Sequence, residues 1–182
     1  MIPFFAVSKA FKILSAFPKY FFPQEMVDSV FEVDYDKFWD NGVRGLIFDI
    51  DNTLATFDVA LPDNETIAFL RTLEEKGFAI CFLSNNSKRR VEIFSADLGY
   101  PHIWRAQKPR RGNLHKAIDI LGLDKSQVVL IGDQIFTDCL AGNRAGVYTV
   151  LTTPIGIKDE WQVKLKRMPE KFVLRAIKQA KL

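Results

Sequence analysis

From Gly45 onward the sequence alternates short apolar runs with segments of helical periodicity, and this alternation constrains the fold more than any other feature. Continuous apolar runs of this length are typical of strands that are buried on both faces of a parallel sheet. Parallel strands need crossover connections, and the helices in those crossovers cover the sheet. The pattern therefore predicts an α/β fold, a three-layer sandwich around a mainly parallel central sheet. The predicted strands are GLIFDI (45–50), FAICFLS (78–84), HIW (102–104), VVLIGD (128–133) and VYTVL (147–151), and the predicted helices span about 62–76, 88–98, 113–121 and 137–145.

Length and composition are those of an ordinary globular protein. The chain has 182 residues, of which 48% are hydrophobic and 26% are charged, and this excludes a disordered chain, a fibrous repeat and a disulfide scaffold. Cys81 and Cys139 lie far apart without metal-type spacing, so we expect reduced thiols of a cytosolic protein. No window reaches the ~18 uninterrupted apolar residues that a membrane span needs.

Charge divides the chain into three parts. Residues 1–22 contain three lysines and no acid, residues 158–182 contain eight basic and three acidic residues, and residues 23–157 are net acidic. We expect a basic amphipathic segment (1–22), a main folded domain (23–157) and a basic, mostly helical tail (158–182). Basic ends suit an anionic surface, although such charges also occur on ordinary solvated helix faces.

The first segment has one aromatic and aliphatic face at helical spacing. It could lie in a membrane interface, with its lysines toward the headgroups, or it could pack against the protein's own domain. The charges inside the apolar stretch argue against a secretory signal. The apolar face comprises Phe4, Val7, Phe11, Leu14 and Phe17.

Acidic and hydroxyl side chains follow the ends of the predicted strands. Asp49 and Asp51 end the first strand, Ser84 the second, and Asp133 the fourth. Because ligands of such folds bind at the carboxyl ends of the strands, we expect these side chains to meet at one edge of the sheet. Two carboxylates that close repel each other unless a cation or a proton lies between them, and Mg²⁺ suits such oxygen ligands. Asp49 and Asp51 could instead belong to a capped turn without a metal, in which Asp and Asn side chains accept hydrogen bonds from backbone donors.

Two more polar residues extend this pattern. Lys108 supplies a cation near an element boundary, and Asp138 lies a few residues after Asp133 in GDQIFTD, around a predicted strand-to-helix turn. Each is weak evidence by itself, since most lysines and aspartates are simply solvated. The ordered set is much more specific than any of its members.

That ordered set resembles the four motifs of the haloacid dehalogenase-like (HAD) hydrolase superfamily, over about residues 45–151. DIDNT (49–53) resembles the first motif, Ser84 the second, Lys108 the third and GDQIFTD (132–138) the fourth. The resemblance implies that Asp49 is a nucleophile that forms an aspartyl-phosphate, and that Asp51 is the acid–base residue. An Asp at that second position is typical of the phosphatases of the superfamily.

The resemblance also implies the binding roles. Mg²⁺ would be held by the side chain of Asp49, the backbone carbonyl of Asp51 and Asp133. The remaining residues of the implied site are Ser84, Asn85 and Lys108, which would bind the transferring phosphoryl group, and Asp138 and Thr53, which would support the metal and Lys108.

The spacing of the motifs leaves no room for a cap domain. The gap from Thr53 to Ser84 fits one loop, one helix and one strand, and the gap from Ser84 to Lys108 fits one helix and one short strand. We therefore expect an open site that can admit a bulky substrate. Basic residues near Ser84 and Lys108 could form a funnel for an anionic substrate or could be ordinary solvated helix starts. They are Lys88, Arg89, Arg90, Arg105, Arg110 and Arg111.

The stretch VDSVFEVDYDKFWDNGVRGLIFDIDNTLATFD (27–58) narrows the resemblance to the YqeG-type branch, capless phosphatases of subfamily IIIA, and extends it to about residues 18–155. The branch is similar to phosphatases that dephosphorylate phosphatidylglycerophosphate. The resemblance implies an anionic phosphate-ester substrate, a lipid phosphate at a membrane surface. Residues 1–22 and the basic tail fit a cytoplasmic protein with peripheral contact at the inner face of the membrane. Anionic lipid attracts such segments at about 1 kcal/mol per basic residue.

Three alternatives stay open at this stage. The substrate could be a soluble phosphate ester, such as a nucleotide or sugar phosphate. The chain could be a HAD-fold binding protein that docks on RNA or the ribosome without catalysis, although the complete set of acids argues against it and makes a nucleic-acid partner unlikely. It could also be an extrinsic membrane scaffold.

Overall fold

The computed structural model describes residues 19–156, and its centre is a six-stranded parallel sheet. The strand order is β1-β6-β5-β2-β3-β4, with every neighbouring pair parallel. This confirms the predicted α/β sandwich with its mainly parallel sheet. The strands are β1 (Glu25–Val27), β2 (Gly45–Phe48), β3 (Ala79–Leu83), β4 (His102–Ile103), β5 (Val128–Gly132) and β6 (Tyr148–Thr152).

Within residues 19–156, five α-helices and several shorter turns connect the strands. Side chains alternate across the buried strands, so Leu46 and Phe48 face one apolar cluster with the helices α2 and α3, whereas Ile47 faces a second cluster with α4 and α5. The sheet is thus covered on both faces. The helices are α1 (Tyr35–Asp40), α2 (Asn64–Glu75), α3 (Lys88–Ser95), α4 (Gly112–Leu121) and α5 (Leu140–Ala145); 3₁₀ turns span Lys19–Phe21, Val30–Glu32 and Lys125–Gln127.

The structure contains elements that the pattern before Gly45 does not predict. The strand β1 is only three residues long and pairs with β6 at the edge of the sheet, and α1 is a helix of less than two turns. Elements this short have no measurable periodicity, so long-range pairing and packing decide them. The helix α3 also ends at Ser95, before the predicted end near residue 98, and the chain then reverses at Gly99 with φ +78°.

The last predicted helix begins differently from the prediction. Residues Ile135–Cys139 form a π-helical turn, in which the backbone N–H groups of Asp138 and Cys139 both donate to the carbonyl of Gln134, and α5 follows from Leu140. Single π turns of this kind are frequent at functional sites. Here the wider turn places Asp138 beside the end of β5.

The described part of the first segment packs against the domain. The ring of Phe21 meets that of Phe136 edge to face, with 5.2 Å between ring centroids, and Phe22 packs on the same apolar cluster. The side-chain amide of Asn143 donates to the carbonyls of Tyr20 and Phe22. Residues 1–18 and 157–182 lie outside the described residues, and so do most of the predicted membrane-contact segments.

Three predictions from spacing and composition can be compared with the described residues. The chain between Thr53 and Ser84 contains only α2, β3 and their loops, and the chain between Ser84 and Lys108 contains only α3 and β4, so no cap domain is evident there. Cys81 and Cys139 are both buried and free of disulfides. Between residues 19 and 156 we find no helix with the length and apolar content that crossing a bilayer would demand.

Candidate active site

The first acidic motif forms a tight turn directly after β2. The N–H of Asp49 still donates to the carbonyl of Ile131 on β5, which continues the sheet ladder by one residue. The chain then reverses, because the N–H groups of Thr53, Leu54 and Ala55 all donate to the carbonyl of Ile50. Asn52 sits at φ +63°, a left-handed conformation that Asn tolerates better than most residues. The turn sends the Asp49 and Asp51 carboxylates in different directions.

Three buried carboxylates converge on one small volume. Asp49, Asp133 and Asp138 each offer an oxygen within 4.8 Å of the others, and their exposed fractions are only 6%, 4% and 2%. They come from the end of β2, the end of β5 and the π-helical turn. The structure thus brings together the acids that follow two neighbouring strands.

Lys108 lies against this cluster from the loop that follows β4. Its Nζ is 2.7 Å from Asp49 Oδ1 and 2.6 Å from Asp138 Oδ1, and the lysine is 6% exposed. Burial by itself would lower the pKa of Lys108, but the charges of Asp138 and Asp49 outweigh it and raise that pKa above its usual value. The ammonium therefore stays charged and offsets part of the repulsion among the acids.

The surroundings of Asp49 disfavour its negative charge. Burial, together with the charges of Asp138 and Asp133, raises the pKa of Asp49 to about 8 against the opposing charge and hydrogen bond of Lys108. A divalent cation would act in the same direction as Lys108, because it favours the ionised form of each carboxylate.

Asp138 has two structural tasks, one for each oxygen. Its Oδ2 accepts hydrogen bonds from the N–H of Gln134 (3.1 Å) and the hydroxyl of Thr137 (3.3 Å), while Oδ1 contacts Lys108. A side chain at Gly132 would overlap the carboxyl group of Asp138. Glycine at the end of β5 is therefore needed for the close approach of Asp138 to the strand.

Asp51 is held apart from the cluster by an arginine. The Nε and Nη2 atoms of Arg90 lie 3.2 and 3.1 Å from Asp51 Oδ1, and Asp51 Oδ2 accepts from Asn86 (3.0 Å) and, at 3.5 Å, from the hydroxyl of Ser84. The Nη1 atom of Arg90 also donates to the carbonyl of Ala60 at 2.9 Å. The Asp51 carboxylate is thus fixed at the mouth of the site.

The other predicted residues lie around these two groups. Ser84 is buried at the end of β3, and its Oγ also accepts the N–H of Asn86. Asn85 makes a pair of hydrogen bonds with the backbone of Lys108, accepting its N–H at 2.7 Å and donating to its carbonyl at 3.1 Å. These two bonds make Asn85 a residue that positions the Lys108 loop. The buried hydroxyl of Thr53 has no hydrogen-bond partner among residues 19–156.

Sequence reasoning missed part of the environment of Asp51. It left Arg90 as part of either a basic funnel or an ordinary solvated helix start, yet the guanidinium contacts Asp51, with 12% of its side chain exposed. Asn86 was not singled out, although it follows Ser84 and Asn85 directly. One feature of the sequence could have predicted these contacts. The helix α3 starts shortly after Ser84, so its first turn lies at the same edge of the sheet as Asp51.

The donor set suits a hard divalent cation. Mg²⁺ prefers oxygen ligands and is bound by a few carboxylates together with phosphate and water, whereas the described cluster has no histidine or thiolate among its members. With all three acids ionised, their negative charge exceeds the single positive charge of Lys108. The residues present therefore fit a magnesium site.

Comparison with known proteins agrees with this geometry. The HAD-hydrolase-like family model matches residues 105–180. The chain is 36% identical to the probable phosphatase YqeG of Bacillus subtilis over 160 residues, 88% of this chain and 93% of that protein. It is 26% identical to phosphatidylglycerophosphate phosphatase 1, chloroplastic/mitochondrial, of Arabidopsis thaliana over 88% of this chain, but spans only 46% of that relative.

Among solved structures, a haloacid dehalogenase-like hydrolase from Bacteroides fragilis has the same fold. The TM-score is 0.52 at 16% identity, and the match covers 66% of this chain and 93% of the other. Together with the identity to the Bacillus protein, these matches show that the chain belongs to the HAD-like hydrolases, in the branch of YqeG-type phosphatases. The protein is accordingly a HAD-type phosphatase, and no cap domain is evident among residues 19–156.

Proposed function

We propose that this phosphatase is a Mg²⁺-dependent phosphomonoesterase that works through an aspartyl-phosphate on Asp49. The observation that carries the proposal is the buried group of Asp49, Asp133 and Asp138 around the ammonium of Lys108. Such a group places a nucleophilic carboxylate beside positive charge in a site largely shielded from water. Electrostatic preorganisation of this kind is worth most where water is excluded.

Asp49 and Asp133 would hold the metal, joined by the backbone carbonyl of Asp51, while Asp138 supports them and Lys108. When bound, Mg²⁺ supplies positive charge that lets a phosphate dianion approach the carboxylates and that neutralises developing charge. The fit rests on the carboxylate cluster itself, whose three members each offer one oxygen.

In the first half of the reaction, a carboxylate oxygen of Asp49 attacks phosphorus. The bond between phosphorus and the substrate's ester oxygen breaks, and Asp51 donates a proton to the departing alkoxide. The ester leaves as an alcohol, and the phosphoryl group remains on Asp49. Covalent catalysis by a carboxylate replaces one difficult displacement with two easier ones.

In the second half, Asp51 accepts a proton from a water molecule whose oxygen attacks the phosphorus. The bond between phosphorus and Asp49 breaks, inorganic phosphate is released, and both aspartates return to their starting states. Asp51 thus acts as acid and then as base. Its position between Arg90, Asn86 and Ser84 suits a group that must be aimed at the opposite side of the phosphorus from Asp49.

Lys108 and Ser84 would bind the oxygens of the transferring phosphoryl group. Asn85 contributes indirectly, because its two hydrogen bonds fix the backbone of Lys108. The unpartnered hydroxyl of Thr53 is available to support the same turn or the bound phosphate.

For the substrate, we propose a lipid phosphate, phosphatidylglycerophosphate, whose dephosphorylation gives phosphatidylglycerol. The match to the Arabidopsis phosphatase supports this choice, as does a site without an evident cap. We also propose that residues 1–22 and 158–182 flank a catalytic domain (23–157) and attach it peripherally to the inner face of the membrane from the cytoplasm. The rival substrate is a soluble phosphate ester.

The test is phosphate release by Asp49→Asn. With Mg²⁺ present, we expect turnover of both phosphatidylglycerophosphate in detergent micelles and p-nitrophenyl phosphate to fall by roughly 10³-fold or more, because the nucleophile is lost. Chelation of Mg²⁺ by EDTA should abolish turnover by the unchanged protein.

The matched control is Asp119→Asn, which removes the same charge from an exposed position on α4 and should keep full activity. Retained turnover in Asp49→Asn would refute the assignment of the nucleophile. A higher kcat/KM for p-nitrophenyl phosphate and sugar phosphates than for the lipid would favour the soluble-ester alternative.

A further inference from the structure

The loop between the Asp51 turn and α2 exposes three large apolar side chains. Phe57, Val59 and Leu61 are 68%, 45% and 54% exposed. Single exposed apolar residues are ordinary, but three in five consecutive positions form a patch of the kind that marks an interaction site.

This loop is attached to the mouth of the active site. Arg90 donates to the carbonyl of Ala60 and, through the same guanidinium, binds Asp51. The apolar side chains on either side of Ala60 therefore lie close to the acid–base residue. Any surface that covered them would also face the entrance of the site.

A second exposed group lies on the neighbouring loop after β4. The ring of Trp104 is 38% exposed and has two cations near its face, Lys88 Nζ at 6.0 Å and Arg105 Cζ at 5.9 Å from its centroid. The N–H of Arg105 donates to the carbonyl of Asn86, whose side chain bonds Asp51. This group is thus joined to the site on the side of α3.

The two groups form one rim, which we define as Phe57–Leu61 together with Lys88, Arg89, Trp104 and Arg105. The rim contains three basic side chains and one acidic side chain, Asp58, so its charge is predominantly positive. The nearby acid Glu92 forms an ion pair with Lys88 at 3.5 Å. Exposed Arg110 adds another positive charge on the following loop. A surface of this composition complements an anionic bilayer. Its aromatic and aliphatic side chains can enter the acyl-chain region, and its basic side chains are attracted by the anionic headgroups.

We propose that this rim docks on an anionic lipid bilayer and holds the open site against the headgroup layer. Phe57, Val59 and Leu61 enter the interface, and Lys88, Arg89 and Arg105 contact lipid phosphates. The inference rests on the proposed lipid phosphate substrate, since docking in this orientation presents a headgroup phosphate to Asp49 without full extraction of the lipid.

The test uses full-length protein and co-sedimentation with phosphatidylcholine vesicles, with and without phosphatidylglycerol. We expect the triple variant Phe57→Ser, Val59→Ser, Leu61→Ser to lose on the order of tenfold or more in affinity for the anionic vesicles. The double variant Lys88→Gln, Arg105→Gln should lose up to about 25-fold, from about fivefold per basic residue.

Ile120→Ser is the matched control. Its side chain is 52% exposed at the end of α4, and neighbouring Leu121 approaches the start of β2, so Ile120 lies at the opposite edge of the sheet. This variant should bind vesicles as the unchanged protein does. Turnover of p-nitrophenyl phosphate should be unaltered in the triple variant and in Ile120→Ser, and this second readout separates a failure of docking from a failure of the proposed phosphatase chemistry.

Three results would overturn the proposal. One is equal vesicle binding by the triple variant and the unchanged protein. Another is a change in sedimentation velocity showing that the triple variant has lost a dimer, which would make a second copy of the chain the occupant. The last is faster proteolysis within residues 157–182 of the triple variant without loss of vesicle binding, which would make the chain's own C-terminal segment the occupant.

Discussion

Asp51 and Arg90 show how one side chain can be aimed by another. Asp51 lies two residues from Asp49, but its carboxylate is held by Arg90 and Asn86 instead of joining the carboxylate cluster. An acid–base residue must stand at a fixed distance from the leaving group, and a misplacement of about 1 Å can cost about 100-fold in rate. Arg90 is therefore a positioning residue in our interpretation, because it acts through Asp51.

Replacing Arg90 tests this positioning role. We expect Arg90→Ala to lower kcat by about 10- to 100-fold, since a hydrogen bond to a charged group is worth about 1.5–3 kcal/mol, while KM for p-nitrophenyl phosphate changes little. Steady-state kinetics measure the changes in kcat and KM separately. Arg90→Lys should restore part of the kcat that Arg90→Ala loses.

Arg89→Ala is the matched control for Arg90→Ala, because Arg89 is an exposed neighbour on the same helix. It should leave kcat unchanged on the soluble ester. A rise in KM with unchanged kcat for Arg90→Ala would instead mean that Arg90 binds substrate directly.

At the scale of elements, the start of α2 secures the loop that carries the exposed apolar residues. Asp63 is the N-cap, and its carboxylate accepts the N–H of Thr66 at 2.8 Å, while the hydroxyl of Thr66 donates to the carbonyl of Leu54. The helix end is thus tied to the turn that follows Asp51. The hydrogen bond from the Thr66 backbone holds the pKa of Asp63 below its ordinary value.

Removing this cap predicts a pH-dependent loss of stability. Asp63→Ala should reduce the free energy of unfolding at neutral pH by about 1 kcal/mol. Because the folded pKa of Asp63 is depressed, its stabilising charge is fully present above the unfolded pKa of about 3.9 and is lost as pH falls through the folded value. Urea unfolding at several pH values should therefore show the difference between wild type and variant shrinking in acid.

Asp63→Asn separates the hydrogen bond from the charge. Asn is an equally good N-cap, so we expect a smaller loss of stability at neutral pH. Because the Asn side chain does not titrate, this difference from wild type should also shrink as Asp63 of the wild type is protonated in acid. A constant difference between wild type and Asp63→Ala across the acidic range would contradict the role of the ionised carboxylate.

At the scale of the whole molecule, the fold concentrates like charges that local structure would never bring together. The strands β2 and β5 are neighbours in the sheet and pair Ile47 with Leu130, although these two residues lie 83 positions apart in the sequence. Their ends place Asp49 beside Asp133, and the π-helical turn adds Asp138. Lys108 compensates only part of this charge, so the folded state should gain stability from a bound divalent cation.

Thermal unfolding with and without Mg²⁺ measures this gain. A concentration of about 100 times Kd contributes about 2.7 kcal/mol, which should raise Tm by about 5–10 °C in a chain of this size. In Asp133→Asn we expect a much smaller rise, and a higher Tm than the unchanged protein in EDTA, because one repelling charge is gone. An equal rise in both proteins, or an equal rise with NaCl at matched ionic strength, would argue against the site.

Much of this arrangement could be predicted from the chain itself. Apolar runs that end in Asp49, Ser84 and Asp133 predict the central parallel strands, and the carboxyl-end rule then predicts one shared site. Sequence patterns do not predict β1, since three residues carry no periodicity. They do not predict the π-helical turn either, because its geometry depends on how Asp138 fits against Gly132.

The sequence by itself determined the class of fold and the acids at the ends of its strands, because periodicity and strand ends are local properties. Only the tertiary structure decided which partners those acids have: Lys108 for Asp49 and Asp138, and Arg90 for Asp51. Residues distant in the chain meet through the order of strands and the packing of helices, and a charged side chain takes its partner from that geometry. The same packing left Phe57, Val59 and Leu61 exposed beside the site.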